Sequence, residues 1–145
     1  MTVALDADVL VNWVMEGTTC HAAARYFVER RLLGGERVAL TPLVLNEFIH
    51  VTTDPRRFPS PLKMKEAVVR ARTIWVAPEV DRIHPAPEVV SRTLDLLETL
   101  SLGRKRILDT MLAATLEIAG IRRLATFNRK DFDIFPFLEI VTPRR

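Results

Sequence analysis

Apolar positions in this chain recur with two different spacings, and the alternation between them is the first structural signal. Between Leu108 and Ala119 they fall at Leu108, Met111, Leu112, Leu116 and Ala119, one face of an α-helix. Gly120 follows, where a helix ends in a left-handed turn. Elsewhere stand short unbroken runs, Val3-Ala4-Leu5, Val38-Ala39-Leu40 and Leu124-Ala125-Thr126, with Leu138-Glu139-Ile140-Val141 as a last strand. Such runs suit strands covered on both faces. Asp8 is expected to cap a helix beginning near Val9, and Thr18 or Thr19 a second helix through Leu33, stopped by Gly34-Gly35. Thr41 and Pro42 stand in cap-then-first-turn order for a helix to about Thr53. Leu62–Val76 reads as a helix with a basic face of Lys63, Lys65, Arg70 and Arg72. Val80–His84 reads as a short strand, and Pro87–Leu100 as a helix closed by Gly103. Asp54–Pro61 is a loop rich in Pro and Arg, and Phe132–Phe137 is aromatic and turn-like. Strands alternating with helices predict one α/β domain over residues 1–145, with a mostly parallel sheet.

Composition narrows the class. With 48% apolar residues the chain can fill a core. No apolar stretch is long enough to span a bilayer, and Met1-Thr2-Val3-Ala4-Leu5-Asp6 lacks the basic-then-apolar order of a signal peptide. Cys20 is the only cysteine, so no internal disulfide forms, and a cytoplasmic protein is expected. The net charge of +3 hides basic clumps, among them Arg56-Arg57, Arg104-Lys105-Arg106, Arg122-Arg123 and Arg129-Lys130. One such clump is ordinarily just solvated surface. Two of them flank acids, however, and a phosphate chain is a partner that uses cations around a carboxylate site.

Four acids stand out by position. Asp6 ends the first strand, and with Asp8 better placed as the cap it has no obvious structural duty. Glu47 has apolar Leu43 and Val51 one turn to either side; it is either a partly desolvated carboxylate or a side chain reaching water. Asp109 lies in a first helical turn, where the dipole favours an acid, with Ala113 leaving open space one turn on. Asp131 lies just beyond a strand and is a turn residue in its plainest reading. Singly each is weak. In a parallel sheet, though, these positions can converge on one edge, where a hard divalent cation such as Mg²⁺ or Mn²⁺ would offset their repulsion and support displacement at phosphorus. His21, His50 and His84 have no metal-ligand spacing, no serine sits in a nucleophile motif, and there is no Gly-rich phosphate loop.

Leu5-Asp6-Ala7-Asp8-Val9-Leu10-Val11 resembles the opening motif of PIN-domain ribonucleases. Leu45-Asn46-Glu47-Phe48, Leu108-Asp109-Thr110-Met111-Leu112-Ala113-Ala114 and Ala125-Thr126-Phe127-Asn128-Arg129-Lys130-Asp131-Phe132 resemble their later motifs, in the same order. Within that family the chain is most similar to the VapC-type toxins of prokaryotic toxin–antitoxin pairs. The resemblance implies a three-layer α/β/α fold and a Mg²⁺- or Mn²⁺-dependent endoribonuclease, with an antitoxin protein and a second copy of the chain as partners. It implies that Asp6, Glu47, Asp109 and Asp131 form the catalytic, metal-holding quartet, supported by Thr126 and Asn128. Asp8 departs from the family, which more often carries an uncharged polar residue there; it is an extra ligand or a helix cap. Arg104, Lys105, Arg129 and Lys130 are the expected RNA-binding cations. Two alternatives stay open. Asp6-Ala7-Asp8 also fits a haloacid-dehalogenase-type phosphatase with Asp6 as nucleophile, although Val9 replaces the usual glycine. The acids would alternatively serve folding alone, in a non-catalytic RNA- or protein-binding module.

Overall fold

The computed structural model describes residues 1–144. Its strands are β1 (Thr2–Leu5), β2 (Arg37–Leu40), β3 (Val80–Arg82), β4 (Arg123–Ala125) and β5 (Glu139–Val141). They form one sheet in the order β3-β2-β1-β4-β5, and every neighbouring pair is parallel. The central strands are buried through most of their length, as their unbroken apolar runs require: Val3, Ala4 and Leu5 in β1, Val38, Ala39 and Leu40 in β2, and Leu124 and Ala125 in β4.

The helices are α1 (Ala7–Val14), α2 (His21–Leu33), α3 (Pro42–Thr52), α4 (Met64–Trp75), α5 (Glu88–Thr99), α6 (Ile107–Ile118) and the single turn α7 (Arg129–Phe132). α1 packs on α2 and α3, and α3 on α4; α5 and α6 pack on each other. Parallel crossovers are right-handed. Moving outward from β1 through β2 to β3 therefore lays α1–α4 on one face. The return from β3 to β4, on the far side of β1, lays α5 and α6 on the other. The result is three layers, and the direction of winding reverses between β1 and β4. In such sheets a crevice opens outside the carboxyl ends of the strands at that reversal.

Several local expectations need correction. Asp6 caps α1, its carboxylate accepting from the Ala7 amide at 2.8 Å, so Asp8 lies inside the first turn and is not the cap. α2 begins at His21 after Cys20, and neither Thr18 nor Thr19 caps it. The turn after α5 falls on Ser101, which takes the left-handed conformation (φ 51°), while Gly103 is extended. Thr41 does cap α3, its hydroxyl accepting from the Val44 amide at 3.2 Å, and Gly120 does end α6 with φ +77°. On α6 the buried residues are Thr110, Leu112, Ala113, Ala114, Thr115 and Leu116, whereas Leu108 is half-exposed. Burial over five consecutive positions means that α6 is covered on more than one side, so a single apolar stripe misplaces its inner face.

Candidate active site

β1 ends at Leu5, and the next residue does two jobs. Backbone Asp6 N–H continues the sheet by donating to the Ala125 carbonyl at 2.9 Å, while its carboxylate starts α1. The second carboxylate oxygen of Asp6 accepts from the Thr126 hydroxyl at 2.8 Å. Thr126, wholly buried one residue past β4, also accepts from the Asn128 amide at 3.0 Å. Asp8 Oδ2 gathers donors from the same loop, the Phe127 amide and the Asn128 side-chain amide, each at 3.0 Å. Its other oxygen is buried with no hydrogen-bond partner among the described residues. The N-terminus of α1 is thus fastened to the β4–α7 loop across the reversal point.

A cleft of about 510 Å³ opens there, and Asp6, Asp8, Glu47, Asp109, Asn128 and Asp131 all line it. They arrive from five places: Asp6 from the end of β1, Asp8 from the first turn of α1, Glu47 from the middle of α3, Asp109 from the first turn of α6, and Asn128 and Asp131 from the segment after β4. The site residues expected from the sequence therefore come together, with Thr126 beneath them. The expected RNA-binding cations do not: Arg104, Lys105, Arg129 and Lys130 are exposed and none lines the cleft. Arg129 instead pairs with Asp133 at 3.3 Å. Asp131 belongs to α7, a single helical turn, rather than to an open turn.

Two cations went unsuspected. Arg106 lies between two of the acids, its Nε 3.7 Å from Asp109 Oδ2 and its Nη2 donating to the Asp131 carbonyl. The three-residue spacing to Asp109 was the available signal. Arg57, in the loop after α3, lines the cleft beside Phe58. Nothing in that loop's sequence says which way it faces.

Burial and crowding set the electrostatics. Burial pushes Asp6 up, against its bonds to Thr126 and Ala7, and the charge of Asp131 pushes the same way. Burial and then the charge of Asp6 push Asp8 up to about 7, despite the donors on its outer oxygen. Glu47 also rises to about 7, through burial and the charges of Asp6 and Asp109. Asp109 rises to about 6 for the same kinds of reason, with Arg106 opposing. Glu47 meets both readings: it is half-buried, so its carboxylate is partly desolvated, and it lines the open cleft.

An all-oxygen set of mutually repelling carboxylates, with one buried acceptor unpartnered, has the donor chemistry of a hard divalent cation. Among the described residues, no three of these side chains already stand as a finished coordination group. The residues fit such an ion by chemistry and by the face they share.

The chain belongs to the PIN domain family, whose model matches residues 3–138. A relative, Ribonuclease VapC24 of Mycobacterium tuberculosis, is 31% identical over 122 residues, covering 84% of this chain and 82% of its own. The fold is shared with VapBC-1 of nontypeable Haemophilus influenzae (TM-score 0.68, 17% identity, 98% of each chain covered). It is shared too with VapBC2 of Rickettsia felis, solved bound to a DNA fragment from its promoter (TM-score 0.67, 18% identity, 99% of this chain and 100% of that one). VapC20 of Mycobacterium tuberculosis, described as a sarcin-ricin loop cleaving toxin, has TM-score 0.65 at 18% identity over 92% of this chain and 95% of its own. The phosphatase alternative gains nothing from these matches, and Val9, where it would want glycine, is wholly buried in α1.

Proposed function

We propose that this chain is an endoribonuclease, hydrolysing RNA phosphodiester bonds with a bound Mg²⁺ or Mn²⁺, and the toxin of a toxin–antitoxin pair. The observation that carries the reading is the shared cleft of Asp6, Glu47, Asp109 and Asp131, four carboxylates from four separated stretches of chain. The 31% identity to a protein named as a ribonuclease supports the choice of RNA.

In this reading Asp6 and Asp109 hold the ion, with Glu47 and Asp131 completing its surroundings. A divalent ion bound there would supply charge neutralisation at phosphorus and lower the pKa of water enough to provide hydroxide near neutral pH. The protein's own part is orientation. The Ala7 amide and Thr126 hydroxyl fix both oxygens of Asp6, so that carboxylate cannot swing away from the cleft. Asp8 holds the 126–128 loop in place through Oδ2, while its other oxygen is buried without a partner among the described residues. Arg106 ties Asp109 to the backbone of Asp131 and so sets the spacing of two acids. The antitoxin and a second copy of the chain are the proposed protein partners; solved relatives include VapBC assemblies and a toxin–antitoxin complex from Klebsiella pneumoniae. Among the described residues, no helix is long and apolar enough to cross a membrane.

The test is cleavage of labelled RNA by the purified chain, with Mn²⁺ or Mg²⁺ added or chelated, beside Asp109→Asn and Asp6→Ala. Cleavage that needs the ion and falls at least about 100-fold in both variants, each still unfolding in one cooperative thermal transition, is expected. Equal cleavage by either variant would refute the assignment.

A further inference from the structure

The loop joining α3 to α4 is built to hold one shape. The Asp54 carboxylate accepts from the Arg56 amide at 2.9 Å, and its carbonyl accepts from the amides of Arg57 and Phe58 at 3.1 and 3.2 Å. Leu62 closes the loop by donating to the Thr52 carbonyl at 2.8 Å. This folded turn brings two unlike side chains to the cleft. Phe58 is half-buried, packed against the core while also forming part of the cleft wall. The Arg57 side chain is 63% exposed, with only a loose approach of 3.8 Å to Asp54.

Arg57 is the only cation among the described residues that line the cleft, where it faces five carboxylates. An RNA strand entering such a cleft brings more negative charge, and an ion at the scissile phosphate does nothing for the phosphates beside it. A neighbouring phosphate needs a cation of its own. An unpaired base beside it needs a flat apolar surface, and an aromatic ring next to a guanidinium is the usual way single strands are held. Arg57 and Phe58 offer both within one turn.

We infer that Arg57 and Phe58 form a subsite for one unpaired nucleotide of single-stranded RNA next to the cleaved bond, Arg57 holding its phosphate and Phe58 stacking on its base. The inference rests on the RNA-cleaving reading above and names where the substrate is gripped. Because stacking accepts any base, the subsite favours unpaired strands over duplex without reading sequence.

The experiment uses the full chain and a labelled, mixed-sequence, single-stranded oligoribonucleotide. Binding is measured by fluorescence anisotropy in Ca²⁺, whose loose coordination suits binding better than turnover, over a salt series. Cleavage is measured in Mn²⁺. Arg57→Ala should weaken binding roughly five- to tenfold and flatten the slope of log K against log salt by about 0.7, the loss of one phosphate contact on a single strand. Its cleavage deficit should appear as a raised KM. Arg57→Lys should keep the slope. Phe58→Leu, which preserves apolar packing, should weaken binding about tenfold with the slope unchanged, and Phe58→Tyr should restore it. An unchanged slope in Arg57→Ala, or equal behaviour of Phe58→Leu and Phe58→Tyr, would overturn the subsite. A wild-type chain that binds this RNA without cutting it overturns the nuclease reading, while the binding comparison still decides the subsite. Absence of RNA binding overturns both.

Discussion

Thr126 has one hydroxyl proton and two carboxylates in reach, Asp6 Oδ2 at 2.8 Å and Asp8 Oδ2 at 3.3 Å. The shorter contact takes the proton, and Asp8 relies on the loop amides. Thr126→Val keeps the shape but strips Asp6 of a donor and leaves the Asn128 amide without its acceptor. Urea unfolding should show a loss of about 1–3 kcal/mol, and RNA cleavage should fall about 10- to 100-fold, with Thr126→Ser retaining most of both. Glu47 gives a prediction of opposite sign. Its folded-state pKa of about 7 lies above the ordinary 4.5, so its contribution to stability is fully present below about pH 4.5 and is lost as pH rises through about 7. Glu47→Gln abolishes that loss. With metal chelated, the variant should melt a few degrees above wild type at mildly alkaline pH and level with it near pH 4. The gain is on the order of 1 kcal/mol once solvent screening of this half-exposed group is allowed for. A Glu47→Gln chain melting below wild type at alkaline pH would show that the carboxylate is stabilising after all. The apolar row of Leu43 and Val51 marked Glu47 as unusual but could not decide its state, because the deciding charges, Asp6 and Asp109, lie on other elements.

At the scale of elements, α7 is the part least able to stand alone. A single helical turn has no stability of its own, and this one carries Asp131. It is held by Phe132, buried to 1% exposure, and by Phe135 beside it at a ring-centroid distance of 6.3 Å. Phe132→Ala should cost about 3–5 kcal/mol in chemical unfolding, and Phe132→Leu much less. Under conditions where the alanine variant stays folded, its cleavage should still drop, since the anchor of Asp131 has gone. Full activity in that state would mean Asp131 is positioned by something else. Strand runs and the Thr41-Pro42 signal were legible because each depends on neighbours in sequence. The face of α6 was not, because packing against α5 on one side, under continuous burial from Leu112 to Leu116, erases the stripe that periodicity looks for. The capping role of Asp6 was hidden by Asp8, which has the same chemistry two residues away.

For the whole molecule, the acids act in one direction. Asp6, Asp8, Glu47 and Asp109 all have pKa values raised by folding. Each therefore stabilises the fold most at low pH and loses that contribution as pH rises through its raised pKa, about 6 for Asp109 and about 7 for Asp8 and Glu47. The chelated protein should accordingly melt lower at pH values above about 7 than near pH 5, and Mn²⁺ should reverse the fall. At an ion concentration of 100 times its Kd the gain is about 2.7 kcal/mol. Thermal melts over a pH series with chelator or Mn²⁺ check this, and a melting temperature indifferent to both would remove the ion from the account. The α/β architecture was open to inspection in the sequence because parallel strands read as unbroken apolar runs. The four acids could be named from their motifs, yet the cations around them could not. Arg57 owes its place to a loop turn that only the assembled fold defines, and the i, i+3 spacing of Arg106 to Asp109 gives no hint of its bond to the Asp131 carbonyl.

β4 sits between β1 and β5, so the opening strand of the chain gains its neighbour on that side only when residues 123–125 arrive. A chain that stops before Thr126 lacks both the hydroxyl donor of Asp6 and Asp131 itself. For an enzyme that cleaves RNA, this ordering makes competence wait for residues 123–131, however early the other three acids are made.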